Sequence, residues 1–115
     1  MSIRNRTRCT KLGEILLTLN SHFRRTLGFL NNGGIPDNCG LLISPCHGIY
    51  TVGMKNPVDI AFLDKNGRVV KLFRNFPPDC FADSAAEAVS AIELPADTLS
   101  RSGTGVGDIV EFDFD

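Results

Sequence analysis

With 115 residues, 43% hydrophobic and 22% charged, the chain has the length of one domain and the composition of an average globular protein, which excludes a disordered tail, a coiled coil, a collagen and a disulfide scaffold. The net charge of −1 is unevenly spread: residues 1–34 carry six Lys/Arg against Glu14 alone, and residues 75–115 carry nine acids against Arg101 alone. A basic start can bind nucleic acid or acidic lipid, but a sequence pI of about 6.1 favours two ends that pack together and neutralise each other.

Residues 1–8 read as a frayed basic stretch, and residues 1–9 as a basic arm ahead of a single domain over 10–115. No apolar run follows the basic start. The longest runs, Ile15-Leu16-Leu17 and Leu41-Leu42-Ile43, fall far short of the ~20 residues a membrane span needs. The expectation is a cytoplasmic protein without a membrane span. From Gly13, Ile15, Leu17 and Leu19 alternate with Glu14 and Thr18, which predicts a half-buried strand. Ser21 is a good N-cap, and Phe23, Leu27 and Leu30 then fall on one helical face, predicting a short helix near residues 21–31 that Asn31-Asn32-Gly33-Gly34 ends.

Ile35 to Asn38 reads as a turn, Gly40 to Ser44 as a short apolar strand, and Pro45 as its interruption. His47 to Val52 extends again, with Ile49 and Tyr50 pointing opposite ways, and Gly53 to Pro57 bends. Val58, Ile60 and Phe62 alternate with Asp59, Ala61 and Leu63. Asp64-Lys65-Asn66-Gly67 then supplies a hairpin turn, and Arg68 to Phe73 returns as the partner strand. Residues 75–86 hold Pro77-Pro78 and small polar side chains, so a loop is expected. Ala88 to Leu94 predicts a strand, Pro95 to Arg101 a helical turn, and Gly103 to Gly107 a flexible turn without the Lys-Ser/Thr of a phosphate loop. The last strand runs from Asp108 with Val110, Phe112 and Phe114 inward. About seven short strands and one short helix near residues 21–31 predict a mainly β, single-domain sandwich or barrel-like fold.

Cys9, Cys39, Cys46 and Cys80 contain no C-x-x-C pair, so neither a metal nor a cofactor is expected. Cys39 and Cys46 could bridge one turn in an exported protein; otherwise reduced thiols are expected, with a buried Cys46 beside a surface His47. The segment from Thr51 to Asp59 draws attention because Thr51, Lys55, Asn56 and Asp59 sit between apolar strands. Pro57 holds Asn56 extended and Gly53 lets the backbone turn, which gives Lys55 a defined direction. Asp59 faces away from Val58 and Ile60, and Arg25 on the short helix is its candidate partner in a charge-assisted pair. Such a pair either clips the helix to the sheet or belongs to a ligand site.

The region from Gly40 to Val70 carries Gly40-Leu41-Leu42, Pro45-Cys46, Thr51, Gly53-Met54-Lys55, Pro57-Val58-Asp59 and Asn66-Gly67. Arg25 to Phe29 lies upstream; Ile92-Glu93-Leu94-Pro95-Ala96-Asp97 and Gly107-Asp108 lie downstream. This series resembles a bacterial and archaeal family, Domain of Unknown Function 192, over most of residues 10–112. The chain has Tyr50 where the family often has His, His47 where it often has a basic residue, and Asp97 where it has Gly. The resemblance implies a compact, mainly β fold and no established reaction.

Without a Ser-His-Asp set or metal spacing, the residues favour a non-catalytic binding or accessory module with an unknown small ligand or protein partner. Its candidate contacts are Arg25, His47, Tyr50, Thr51, Met54, Lys55 and Asp59. The alternative is an enzyme with Lys55 and Asp59 as its polar catalytic groups. Nucleic-acid binding through Arg4, Arg6, Arg8, Arg24 and Arg25 is less favoured, because Phe23 alone is interleaved with them.

Overall fold

The computed structural model describes residues 2–19, 35–46 and 48–113. The predicted helix near residues 21–31, Arg25, His47 and Phe114 lie outside them. Among the described residues ten strands run in chain order: β1 (Ser2–Asn5), β2 (Thr10–Gly13), β3 (Ile15–Leu19), β4 (Cys39–Ile43), β5 (Gly48–Tyr50), β6 (Val58–Leu63), β7 (Val69–Phe76), β8 (Phe81–Asp83), β9 (Ser90–Pro95) and β10 (Val110–Asp113), with one helix, α1 (Thr98–Ser102), before the last. They form a five-stranded sheet ordered β3-β4-β9-β6-β7, a three-stranded sheet ordered β10-β1-β2, and the pair β5-β8. β3 and β4 are parallel; the other pairings are antiparallel. None of the sheets closes, so of the two expected architectures the sandwich-like one is found.

The five-stranded sheet is covered on both faces. Leu41, Ile43, Val58, Ile60 and Phe62 pack on one side with Ile49 and Ala82 of β5 and β8 and with Met54. Ala61, Leu63, Ile92 and Leu94 pack on the other with Ile3, Leu12, Val110 and Leu99. The β6–β7 hairpin forms as expected around the Asp64–Gly67 turn, and β9 pairs along its other edge from Val58↔Pro95 to Leu63↔Ser90. A strand flanked on both edges and covered on both faces has no solvent side. All six β6 residues are therefore buried, and the alternation expected there marks two cores rather than core and surface.

Four other expectations are corrected. Residues 2–8 are not frayed: β1 is the middle strand of its sheet, Ile3 is fully buried, and Arg6 donates its backbone N–H to the Ile109 carbonyl. Ile15 does not face the core but is 53% exposed, while Leu16 and Leu17 pack against opposite cores. The expected loop over 75–86 contains the end of β7 and all of β8, because Phe81 to Asp83 finds its partner in β5. Pro95 ends β9 instead of starting the helix, and Asp97, with a left-handed φ of 72°, precedes α1.

The uneven charge has the structural outcome the composition favours. β1 pairs with β10, which sets Arg4 opposite Glu111. Arg6 reaches Glu111 at 3.9 Å, and Arg8 reaches Asp108 at 3.2 Å. The basic start and the acidic end thus lie on neighbouring strands.

Candidate functional site

The segment from Tyr50 to Asp59 leaves β5, turns at Gly53 and enters β6. Its residues divide into an inner and an outer set. Thr51, Met54 and Asp59 are buried; Tyr50, Val52, Gly53, Lys55, Asn56 and Pro57 are exposed.

The inner set holds the backbone. The Thr51 hydroxyl donates to the Pro77 carbonyl (2.7 Å) and accepts the Cys80 amide (3.0 Å). The Thr51 amide donates to the Cys80 carbonyl, and its carbonyl accepts the amides of Met54 and Asp79. This one residue ties the bend to the loop before β8. Met54 drops its thioether into the core beside Ile49 and Val58, which fixes the other end of the turn.

Asp59 does face away from Val58 and Ile60, as alternation requires, but that direction leads into the second core. Its carboxylate accepts the Asn75 amide at Oδ1 (2.9 Å) and the Leu99 amide at Oδ2 (2.8 Å). Leu99 lies in the first turn of α1, where amides lack intrahelical partners. Asp97 makes no side-chain cap bond, so β6 supplies the acceptor from 40 residues away in sequence. A negative charge at that end also suits the helix dipole. Lys55 is exposed, and Asp59 is committed to backbone amides, so the two do not form a pair.

The outer set forms a small aromatic surface. Tyr50 of β5 and Phe81 of β8 are directly paired across the two strands, with ring centroids 4.5 Å apart and a tilt of 41°. They are 53% and 47% exposed, and the following Val52 is 60% exposed. Gly48 makes the arrangement feasible: a Cβ there would sit 2.5 Å from Cζ of Phe81, so the ring lies over the glycine. Behind this face, Ile49 and Ala82 are buried in the first core, which gives the rings a packed base.

Two features were not singled out from sequence. Phe81 fell inside an expected loop, although a strand triplet Phe-Ala-Asp with one small residue between two larger ones was available as a signal. Glu93 is fully buried on β9, opposite Leu41 and Ile60. Its signal was a carboxylate inside the apolar run Ala91-Ile92-Glu93-Leu94, since a charge is rarely buried without compensation. The thiols divide as well: Cys39 and Cys46 are buried, whereas Cys9 and Cys80 are exposed. Burial, with Asp37 adding a like-sign effect, pushes the Cys39 thiol up from its ordinary value, which keeps it protonated.

No helix among the described residues is long and apolar enough to cross a membrane. Two crystal structures share the fold. A protein of unknown function from Novosphingobium aromaticivorans is 19% identical, with a TM-score of 0.71 over 84% of this chain and 74% of its own. A protein from Sinorhizobium meliloti, described as a candidate transcription regulator, is 20% identical, with a TM-score of 0.71 over 84% of this chain and 79% of its own. At these identities the likeness is one of fold. No curated protein matches the chain. The model of Domain of Unknown Function 192, described as an uncharacterised ACR family, matches residues 14–112, and the chain belongs to that family.

Proposed function

We propose that this chain is a small non-catalytic binding module that recognises an apolar or aromatic face of a ligand through the surface built on β5, β8 and the Tyr50–Asp59 bend. The observation that carries this reading is the exposed Tyr50–Phe81 pair, seated over Gly48 and next to exposed Val52. Two rings in contact on a packed base lose little conformational freedom on binding, so more of the contact energy appears as affinity. Lys55, exposed on the same bend, is proposed as a cationic contact. Thr51, Met54 and Asp59 act beneath it as positioning residues, and Arg25 and His47 are retained as proposed contacts from the sequence.

The catalytic alternative draws less support. A general base needs a carboxylate oxygen within reach of substrate, and both oxygens of Asp59 are engaged by backbone amides inside the protein. A nucleic-acid reading is brought in by the description of the Sinorhizobium protein, but here Arg6 and Arg8 are matched by Glu111 and Asp108.

The test is an NMR titration with a panel of aromatic fragments such as indole, benzoate and adenine. The reading expects saturable amide shifts centred on Tyr50, Thr51, Val52 and Phe81. Shifts confined to another surface, or none from any fragment, would refute it. Steeply salt-dependent binding of a DNA duplex with shifts on β1 would favour the nucleic-acid reading instead.

A further inference from the structure

A concavity lies on the other side of the five-stranded sheet from the β5–β8 pair, between β2, the Asn38 turn and α1. Its volume is about 300 Å³, and its lining includes Thr10, Lys11, Asn38, Thr98, Arg101 and Ser102. That volume is at the small end for ligand clefts. A lining so rich in polar side chains and backbone is unlike an apolar void left by imperfect packing.

The charges around it have a definite balance. Lys11 pairs with Glu14 at 3.0 Å, but both side chains are half exposed, so water screens the pair and the ammonium still offers charge to the cleft. Arg101 has no carboxylate within 4 Å among the described residues. The acid just ahead of its helix, Asp97, accepts the Asn75 side-chain amide at 3.1 Å. The Arg101 side chain folds back along α1, where Nε donates to the Asp97 carbonyl at 3.4 Å and Nη2 to the Thr98 hydroxyl at 3.3 Å. A guanidinium has five N–H donors. Two are spent on orienting the group, and the planar fork is left with donors to offer. The Lys11 ammonium has three and spends one. The end of the helix is not what would bind, because the Leu99 amide is already taken by Asp59.

The cleft is also held still. Thr10 donates its hydroxyl to the Ser102 carbonyl at 2.8 Å, which fastens the β2 wall to the α1 wall. The Asn38 carbonyl accepts the amides of Glu14 and Ile15 (2.7 and 3.0 Å), which fixes the third wall. A fixed cleft with one uncompensated, oriented guanidinium and a second cation beside it is complementary to a compact anion.

We propose that this cleft binds a small organic anion through its carboxylate or phosphate oxygens, with Arg101 as the bidentate contact and Lys11 as the second cation. The site is independent of the aromatic surface and stands or falls separately from it.

The experiment is an NMR titration of the whole chain with citrate and with inorganic phosphate, each at constant ionic strength made up with chloride. The two arms separate a carboxylate ligand from a phosphate one. The expected result is saturable shifts at Thr10, Lys11, Asn38 and Arg101 with at least one of the two anions. Arg101→Gln should weaken that binding about tenfold or more, Arg101→Lys less, and Lys65→Gln, which removes a cation from the distant hairpin turn, not at all. Among the described residues the Arg101 side chain bonds only to Asp97 and Thr98 at the start of α1, so the variant's fold is checked by its unchanged remaining spectrum. Shifts that rise linearly without saturating, or that scatter over every exposed cation, mean an adventitious ion only and overturn the proposal. Full affinity in folded Arg101→Gln overturns it too.

Discussion

Asp59, Asp108 and Phe62 are each buried, and each makes a different physical demand. Replacing Asp59 with Asn keeps the shape but removes the charge and presents an NH2 group to one of two backbone amides. Since hydrogen bonds to charged groups contribute about 1.5–3 kcal/mol, Asp59→Asn should cost about 2–4 kcal/mol in chemical denaturation. The exchange protection of the Leu99 and Asn75 amides should fall with it. Phe62 is fully buried and packs edge-on against Phe73, so Phe62→Ala should cost about 3–5 kcal/mol; a loss under about 1 kcal/mol would contradict its place in the core. Asp108 accepts the Asn5 side-chain amide (3.0 Å), the Gly105 backbone amide (2.9 Å) and the Arg8 guanidinium (3.2 Å). Asn5 above all, with Gly105 and Arg8, holds its carboxyl below the usual range against the opposing effect of burial. The sign follows from linkage. Folding favours the ionised form, so the stabilisation is complete above the unfolded value of about 3.9 and is lost as pH falls through the lower folded value. Asp108→Asn should therefore lower stability at pH 7 by about 2 kcal/mol and flatten its decline below about pH 4, measured by urea unfolding at several pH values.

Among the elements, what was readable in the sequence is what is local. The β6–β7 hairpin needs only two apolar runs and Asp64-Lys65-Asn66-Gly67. There Asp64 accepts the amides of Asn66 and Arg68, and Gly67 takes a φ of +81°. A Cβ at Gly67 would also meet the Val110 carbonyl oxygen at 2.6 Å. Gly67→Ala should thus cost about 1–3 kcal/mol and weaken the contact with β10, whereas Gly53→Ala, equally left-handed but with open space around it, should pay only the conformational cost of about 1–2 kcal/mol. Thermal unfolding of the two variants side by side checks the difference. β1 and β8 were not readable, because three or four residues carry too little periodicity and their partners, β10 and β5, lie far along the chain. The direction of Asp59 was readable from alternation, but its surroundings were not: only the stacking of a second sheet on β6 turns an outward residue into a buried one. The aromatic surface was half readable, since Tyr50 was named and Phe81 needed the β5–β8 pairing.

For the molecule as a whole, one covered sheet carries two outer layers with different duties. The three-stranded layer joins the chain's basic start to its acidic end and walls the Arg101 cleft. The two-stranded layer exposes Tyr50 and Phe81 and buries little beyond Ile49 and Ala82. The central claim is that these two rings are there to be bound and not to hold the fold. The most direct measurement is the affinity of an aromatic fragment for Tyr50→Ser/Phe81→Ser relative to the unchanged chain, with the melting curve of each recorded. Exposed rings contribute about 0.5–1.5 kcal/mol to each other's packing, so the account predicts a melting temperature lowered by only a few degrees and an affinity reduced at least tenfold. Full affinity in the double variant would contradict it, as would a collapse of the fold.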